Sequence, residues 1–400
     1  MEVQIVSSLA EVSSVAWNAL RSDDFPFSRF EHLRALEATG CLGERTGWHP
    51  QYVLWSAREP DSADNGESTR PQAFRAATWF YKKTNSYGEF VFDHEWVDLY
   101  ERLGYPYYPK LVGAVPFTPA TGTKLLGEPS LRSDLVSFIG SLSERRGMSS
   151  GHILFIPDRD RAVYEDAGWV LRSGIQFHWR NRDFRDFGDF LSQLKKKRRK
   201  EISYERRNID ADLDIQCLEG SDLTTEAADF AYELYQKTNL DKYSLVCLTR
   251  DYFQQIFAVM KPFIRFFVAR RKSHADGRGR LVAGALFLCE GKRMFGRYWG
   301  AKEDLRYLHF ELCYYAPIEL AIAQGIEELE AGAQGAHKMS RGFLPTLTQS
   351  AHRFAIPKIH EVFKQYCEHE RSGLETALAE HQEHYPYLEG NDVTIAGSRA

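Results

Sequence analysis

The sequence repeats one order of elements: helix, helix, strand, polar loop, strand, strand, helix, strand. A chain patterned this way is restricted to a duplicated α/β unit of ordinary domain size. In the first half, Ser8 and Glu11 form a capping-box pair that opens a helix through Trp17 and Leu20. Ser28 and Glu31 repeat the pair, and Gly40 closes that helix. Strands are expected at residues 52–56, 73–81 and 88–93, with a mobile polar loop at 59–72. A helix at 94–103 and a strand at 107–115 follow. In the second half, helices are expected at 226–235 and from Thr249 through Phe257, then strands at 263–270, 281–289 and 294–299 around a polar stretch at 271–280. A helix from Leu308 to near Gly325 and a strand at 326–330 complete it. The local match is Ser86-Tyr-Gly-Glu-Phe-Val-Phe-Asp93 against Met294-Phe-Gly-Arg-Tyr-Trp-Gly-Ala301. The first copy closes with a helix at 131–145, a strand at 153–156, a helix at 163–167 and a strand at 176–179. The expected domains are 1–183 and 184–388, with 389–400 as a disordered tail.

Composition bounds what this unit does. Apolar residues are 43% and charged residues 26%, which excludes collagen-like and disordered classes. The longest clean apolar run is the nine residues 281–289, too short for the ~20 that cross a bilayer. No basic stretch precedes an apolar core at the N-terminus, so no secretory signal is expected. None of the six cysteines falls in a Cys-x-x-Cys pair, so neither a zinc cluster nor a redox motif is expected, and free thiols in a reducing cytoplasm are; no metal is among the expected cofactors. A formal charge of -4 gives no global pull toward nucleic acid or anionic lipid.

Several segments resemble a bacterial family of FemAB-like N-acyltransferases, described by peptidoglycan biosynthesis or recognition. They are Ser86 to Asp93, Pro106-Tyr-Tyr-Pro-Lys-Leu111 running to Val115-Pro-Phe-Thr-Pro119, Gln176-Phe-His-Trp179, Leu308-His-Phe-Glu311 with Cys313-Tyr-Tyr315, and Gly332-Ala-Gln-Gly335 with His337, Lys338, Arg341 and Gly342. The resemblance covers roughly residues 25–370. It implies an α/β (α+β) fold of two tandem GNAT-like domains, with mixed central sheets flanked by helices. It implies transfer of an acyl or aminoacyl group to an amine. Two positions depart from it: Ala336 stands where the family tends to have Glu, and Pro317 lies inside a helix that it should kink.

Acyl transfer to an amine needs a hydrogen-bond donor where negative charge develops on the carbonyl oxygen, a base for the amine proton, and a proton for the leaving group. A GNAT-like fold supplies the donor where two parallel strands splay, here 294–299 and 326–330. Ligands collect at the carboxyl ends of strands in open α/β sheets. Glu311 and His309 lie at the first such end and are the candidate bases. Glu311, Tyr315 and Glu319 share a helix face. Glu330, Gln334, His337, Lys338 and Arg341 follow the second strand, with Lys338 and Arg341 as anchors for an anionic group. The bland alternative is a structural ion pair between Glu311 and Arg341. The first copy offers Tyr87, Glu89, Asp93, Tyr107 and Lys110 at equivalent places.

The donor stays open between acyl-CoA and aminoacyl-tRNA. The Gln/Arg-x-x-Gly-x-Gly/Ala turn that cradles a CoA pyrophosphate is not matched by Gly300 to Arg306, and Asp276-Gly-Arg-Gly279 opens no helix. Lys195 to Lys200 are six consecutive basic residues, followed by Arg206 and Arg207, and are the candidate contact for tRNA phosphates or a phospholipid surface; a solvated helix face is the bland reading. A non-catalytic protein that binds a peptidoglycan-like or other polar ligand in an interdomain cleft is the alternative of another class.

Overall fold

The computed structural model describes residues 2–56, 73–242, 244–272, 279–332, 335–381 and 385–388. The expected loop at 59–72, most of the polar stretch at 271–280, Gln334 and the 389–400 tail lie outside the described residues. The strands are, in chain order, β1 (Glu2–Val6), β2 (Trp48–Ser56), β3 (Phe74–Lys83), β4 (Lys110–Gly113), β5 (Leu125–Gly127), β6 (Ser150–Ile156), β7 (Val170–Arg180), β8 (Leu213–Leu218), β9 (Ile264–Arg271), β10 (Arg280–Glu290), β11 (Arg293–Ala301), β12 (Glu328–Glu330) and β13 (Leu344–Phe354).

The chain divides into two compact units. Unit 1 is Met1–Gly174 with Thr348–Leu374, and unit 2 is Ile175–Leu347 with Glu375–Ala400. In unit 1, β1, β2, β3 and β4 pair antiparallel in turn, β4 pairs β6 in parallel, and β6 pairs β13 antiparallel. In unit 2, β8, β9, β10 and β11 pair antiparallel in turn, β11 pairs β12 in parallel, and β12 pairs β7 antiparallel. The two units thus share one pairing order, which is the duplication expected from the repeat.

The closing strands are exchanged. β7 follows β6 in the chain yet closes unit 2, and β13 follows β12 yet closes unit 1. The contiguous division at 183 therefore differs from the observed one: the break falls at 174, and 348–374 returns to unit 1. That return is held by burial. Phe354, Ile359, Phe363 and Cys367 complete a cluster with Trp96, Tyr100 and Tyr107, and each large buried side chain contributes roughly 1.5–3 kcal/mol.

The local match that pointed to the repeat is in the wrong place. Met294 to Ala301 lies in β11, but Ser86 to Asp93 forms no strand. Gly88 and Phe90 take positive φ of 79° and 62°, which turns the chain back and brings Glu89 and Asp93 onto Lys110. By pairing order the counterpart of β11 is β4, and the helix after it is Arg132–Arg145 rather than His94–Arg102. Residues 84–109 are an insertion where unit 2 has only the Gly291 turn. Ser8 caps a single 3-10 turn, Leu9–Glu11, and the first α-helix starts afterwards at Ser14 with Ser13 as its cap.

Pro317 is accommodated by a π-helical turn, Glu311–Tyr315, immediately before the helix Ala316–Ala323. Proline has no N–H for the carbonyl of residue 313 and its ring crowds that carbonyl; a widened turn relieves both problems.

Candidate active site

In unit 2, β11 and β12 pair at only three positions, Arg293↔Glu328, Met294↔Leu329 and Phe295↔Glu330. β12 then ends, while β11 runs on to Ala301. A β-bulge in the pairing with β10 lies at the same level: Leu286 faces Tyr298 and Phe287 faces Gly296, leaving Arg297 as the extra residue. Gly296 stands at the branch. A Cβ there would lie 3.4 Å from Ala331 Cα and from the Glu330 carbonyl oxygen. The strands thus fork, and a cavity of about 100 Å³ lies at the fork. It is lined by Gly296 to Trp299 of β11, Phe287 of the bulge, Ala331 beyond β12, and His309, Cys313 and Tyr314 of the following helix.

His309 reaches this cavity because Tyr307 takes a left-handed φ of 65° and turns the chain into its helix. The imidazole lies against Trp299 at 5.1 Å, Tyr314 at 5.5 Å and His337 at 6.2 Å between ring centres. Among the described residues neither ring nitrogen has a hydrogen-bond partner. Burial first, then His337, Arg341 and Lys338, push its pKa down to about 4, so the ring is uncharged at neutral pH. Tyr314 Oη lies 3.0 Å from His337 Nε2, and His337 is exposed.

The other expected residues are engaged elsewhere. Both oxygens of Glu311 accept from Arg206, Oε2 from Nε at 3.0 Å and Oε1 from Nη2 at 2.7 Å. Arg206 also reaches Glu319 at 2.8 Å. Burial raises the Glu311 pKa while Arg206 opposes it. Glu311 is thus an ion-pair residue absent from the cavity lining, and its partner is Arg206, not Arg341. Arg341 donates to Glu205 Oε1 at 2.7 Å and to the His337 carbonyl at 3.0 Å, with its guanidinium 3.4 Å from the centre of the Phe310 ring. The Tyr315 hydroxyl also donates to Glu205. Lys338 is buried and donates to the Ala331 and Gly332 carbonyls at 2.9 and 2.8 Å. Burial brings its pKa down to about 8. Neither cation is free to anchor an anion: Lys338 fixes the exit of β12, and Arg341 neutralises Glu205. Glu330 pairs with Arg293. The sequence points to Arg206 only as part of the basic run and not to Glu205 beside it; the structure turns both inward as ion-pair partners. The helical spacing carries a signal for Glu205, which it sets on the face opposite Lys196 and Lys200.

In unit 1, Lys110 Nζ is buried between Glu89 at 2.8 Å and Asp93, and donates to Ser86 Oγ at 2.9 Å. The Tyr107 hydroxyl donates to Asp93 at 2.8 Å. Lys110 holds Asp93 below the usual carboxylate range; for Glu89, burial outweighs Lys110 and raises it. The Tyr87 side chain points to solvent; its carbonyl accepts from Trp48 and Lys83, and its N–H donates to Asn85 Oδ1 at 3.0 Å. Glu89, Asp93, Tyr107 and Lys110 come together as a buried ion cluster, and Tyr87 stays outside it.

Among the described residues, His178, Glu328 and Glu330 have metal-ligand spacing, with ligand atoms within 4.8 Å of one another. Glu328 already faces Arg180 at 3.3 Å, Glu330 faces Arg293, and the His178 nitrogens face Glu328 and Gln176. With both carboxylates neutralised by guanidinium groups, the cluster reads as an ion network.

The FemAB-like family, described by peptidoglycan biosynthesis and recognition, matches residues 8–389. The chain belongs to this family. Solved structures with the same fold include FemX, at 9% identity over 91% of this chain and 100% of that one, TM-score 0.53. They also include the C-terminal domain of a chain assigned as a lysylphosphatidylglycerol synthetase from Agrobacterium fabrum, at 13% identity over 89% and 95%, TM-score 0.53. No curated protein sequence matches the chain. The fold is the duplicated α/β fold shared with FemX, with mixed strand pairing in each unit. No helix among the described residues is long and apolar enough to cross a membrane.

Proposed function

We propose that the protein is an N-acyltransferase that passes an acyl or aminoacyl group to an amine-bearing acceptor at the fork of unit 2. The observation that carries this reading is the uncharged His309 imidazole, without a hydrogen-bond partner among the described residues, in a cavity at the fork where the pairing of β11 with β12 ends. His309 takes the proton from the attacking amine. Backbone N–H groups of β11 at the fork face the carbonyl oxygen as it gains charge. The acyl carbon forms its bond to nitrogen, the bond to the leaving oxygen or sulfur breaks, and the Tyr314 hydroxyl returns a proton to it, refilled through His337. Family membership supports a peptidoglycan-related amine as acceptor and a bacterial cytoplasmic setting, in line with six free cysteines. The donor is an activated ester or thioester, aminoacyl-tRNA or acyl-CoA.

The test offers both donor classes, separately, with peptidoglycan stem-peptide amines, and reads products by mass spectrometry. Transfer by the parent chain that is lost in His309→Gln supports the proposal. Amine binding without transfer from any donor would make the protein a recognition module.

A further inference from the structure

The helix Lys196–Arg207 is divided lengthwise by its own sequence. At about 100° per residue, Lys196, Lys197, Lys200, Tyr204 and Arg207 fall within about 100° of arc. All five are exposed. The opposite face carries Ile202 and Glu205, which are buried, and Arg206. The arginines off the outward arc have protein partners: Arg198 pairs with Glu201 at 2.9 Å, Arg199 donates to the Ser192 carbonyl at 3.5 Å, and Arg206 holds Glu311. The outward cations are mainly lysines, and among the described residues Lys196, Lys197 and Lys200 form no ion pair.

Exposed apolar side chains adjoin this arc. Tyr204 is 49% exposed and its ring meets Tyr307 edge-on at 6.1 Å. Leu388, 48% exposed, is tied to the start of the helix, since its N–H donates to the Gln193 carbonyl and Lys195 N–H donates to Pro386. On a chain of net charge -4, this is a local cationic face with aromatic and aliphatic side chains at its margins.

We infer that this face docks the protein on an anionic lipid bilayer. Lysines are point charges suited to a diffuse negative surface, whereas the guanidinium forks that grip individual phosphates are largely turned inward here. Tyrosine and leucine at the rim suit the headgroup boundary, where one end of a side chain is apolar and the other wet. The attachment is reversible, falls with salt, and is independent of the transfer reading, because none of these side chains lines the cavity.

The test is sedimentation of the full chain with vesicles of phosphatidylcholine alone and with phosphatidylglycerol added, at low and physiological salt. Binding to the anionic vesicles only is expected. At about fivefold per lysine, the triple variant K196Q/K197Q/K200Q should bind about a hundredfold more weakly with an unchanged melting temperature. L388S should weaken binding severalfold. Three exposed lysines elsewhere, changed as K82Q/K358Q/K364Q, are the control. The inference is overturned if anionic vesicles are not bound at low salt, if the control triple loses as much, or if bulk tRNA binds more tightly at the same salt with the same sensitivity to the first triple. The last result would make the face a nucleic-acid surface. His309→Gln should leave vesicle binding unaltered, so failure of the transfer reading is scored separately.

Discussion

Both units build a parallel strand pair that forks, and they treat the fork in opposite ways. In unit 2 the edge of β11 beyond Phe295 opens on a cavity with His309 beside it. In unit 1 the parallel pairing of β4 with β6 stops at Gly113↔Ile153, and the chain itself takes the freed edge. Gly122 N–H donates to the Phe155 carbonyl at 3.1 Å. Lys124, buried, donates to the same carbonyl and to Gly122, both at 2.8 Å. Residues 114–124 are buried throughout except for the half-buried Thr121. Each fork holds a buried lysine on backbone carbonyls. In unit 1 the lysine seals the opening, and in unit 2 Lys338 braces the exit of β12 beside the cavity. A duplicated fold can therefore keep one reactive opening and fill the second with its own loop.

The largest effect expected concerns the exchanged strands. A fragment ending at residue 183 leaves β6 without β13 and Trp96 without Phe354 and Phe363; circular dichroism and thermal scans should show no cooperative unfolding. Appending 348–374 should restore a transition, and a stable bare fragment would refute the unit boundaries. Next is His309→Gln, expected to lower kcat/KM by about 10²–10⁴ with stability within ~1 kcal/mol. With its pKa near 4, this base is in its active uncharged form above that pH. The acid limb of the rate profile governed by His309 should therefore fall near 4; a limb at ordinary histidine values would contradict the burial described. No single substitution in the sealed fork of unit 1 should reproduce either result.

Glu311→Gln breaks the bidentate bond from Arg206. It should cost about 2–3 kcal/mol in chemical denaturation, below the ~3–5 of a fully buried pair because Arg206 is partly exposed. Loss of turnover at unchanged stability would instead return Glu311 to the chemistry. Lys338 gives a signed pH effect. The folded protein sheds this proton at about 8, while the unfolded chain keeps it to ~10.4. The unfolded state binds more protons between those values, so stability should rise with pH there, by ~3 kcal/mol at most. Lys338→Met should remove the slope. A neutral amine still has two N–H groups for the Ala331 and Gly332 carbonyls, so the loop stays braced as the charge is lost. The smallest effect is Lys124→Met, expected to cost ~1–3 kcal/mol by leaving two buried carbonyls short of a donor, with turnover unchanged.

The sequence made most strands visible, because β9, β10 and β11 are apolar runs separated by a polar stretch and a glycine turn. It made the fork visible too, through the order of strand, helix and strand around His309. It misplaced the repeat at Ser86 to Asp93, where Tyr87, Phe90, Val91 and Phe92 look like a strand. There a tertiary demand wins: a buried Lys110 draws in two carboxylates, and the backbone turns to deliver them. The partners of Glu311 and Arg341 were not legible either. Glu205 and Arg206 lie ~100 residues or more from them, and no local pattern links ion pairs that far apart.

The strand exchange also sets a schedule for synthesis. β6 is complete when residue 156 has been made, but the strand that covers its edge ends at 354. Roughly 200 residues must be added in between, which at about 5–20 residues per second is roughly 10–40 s. For that interval the nascent unit 1 presents an uncapped strand edge and an incomplete aromatic cluster, so its exposure to chaperones and to misassembly depends on how fast the ribosome delivers the second repeat.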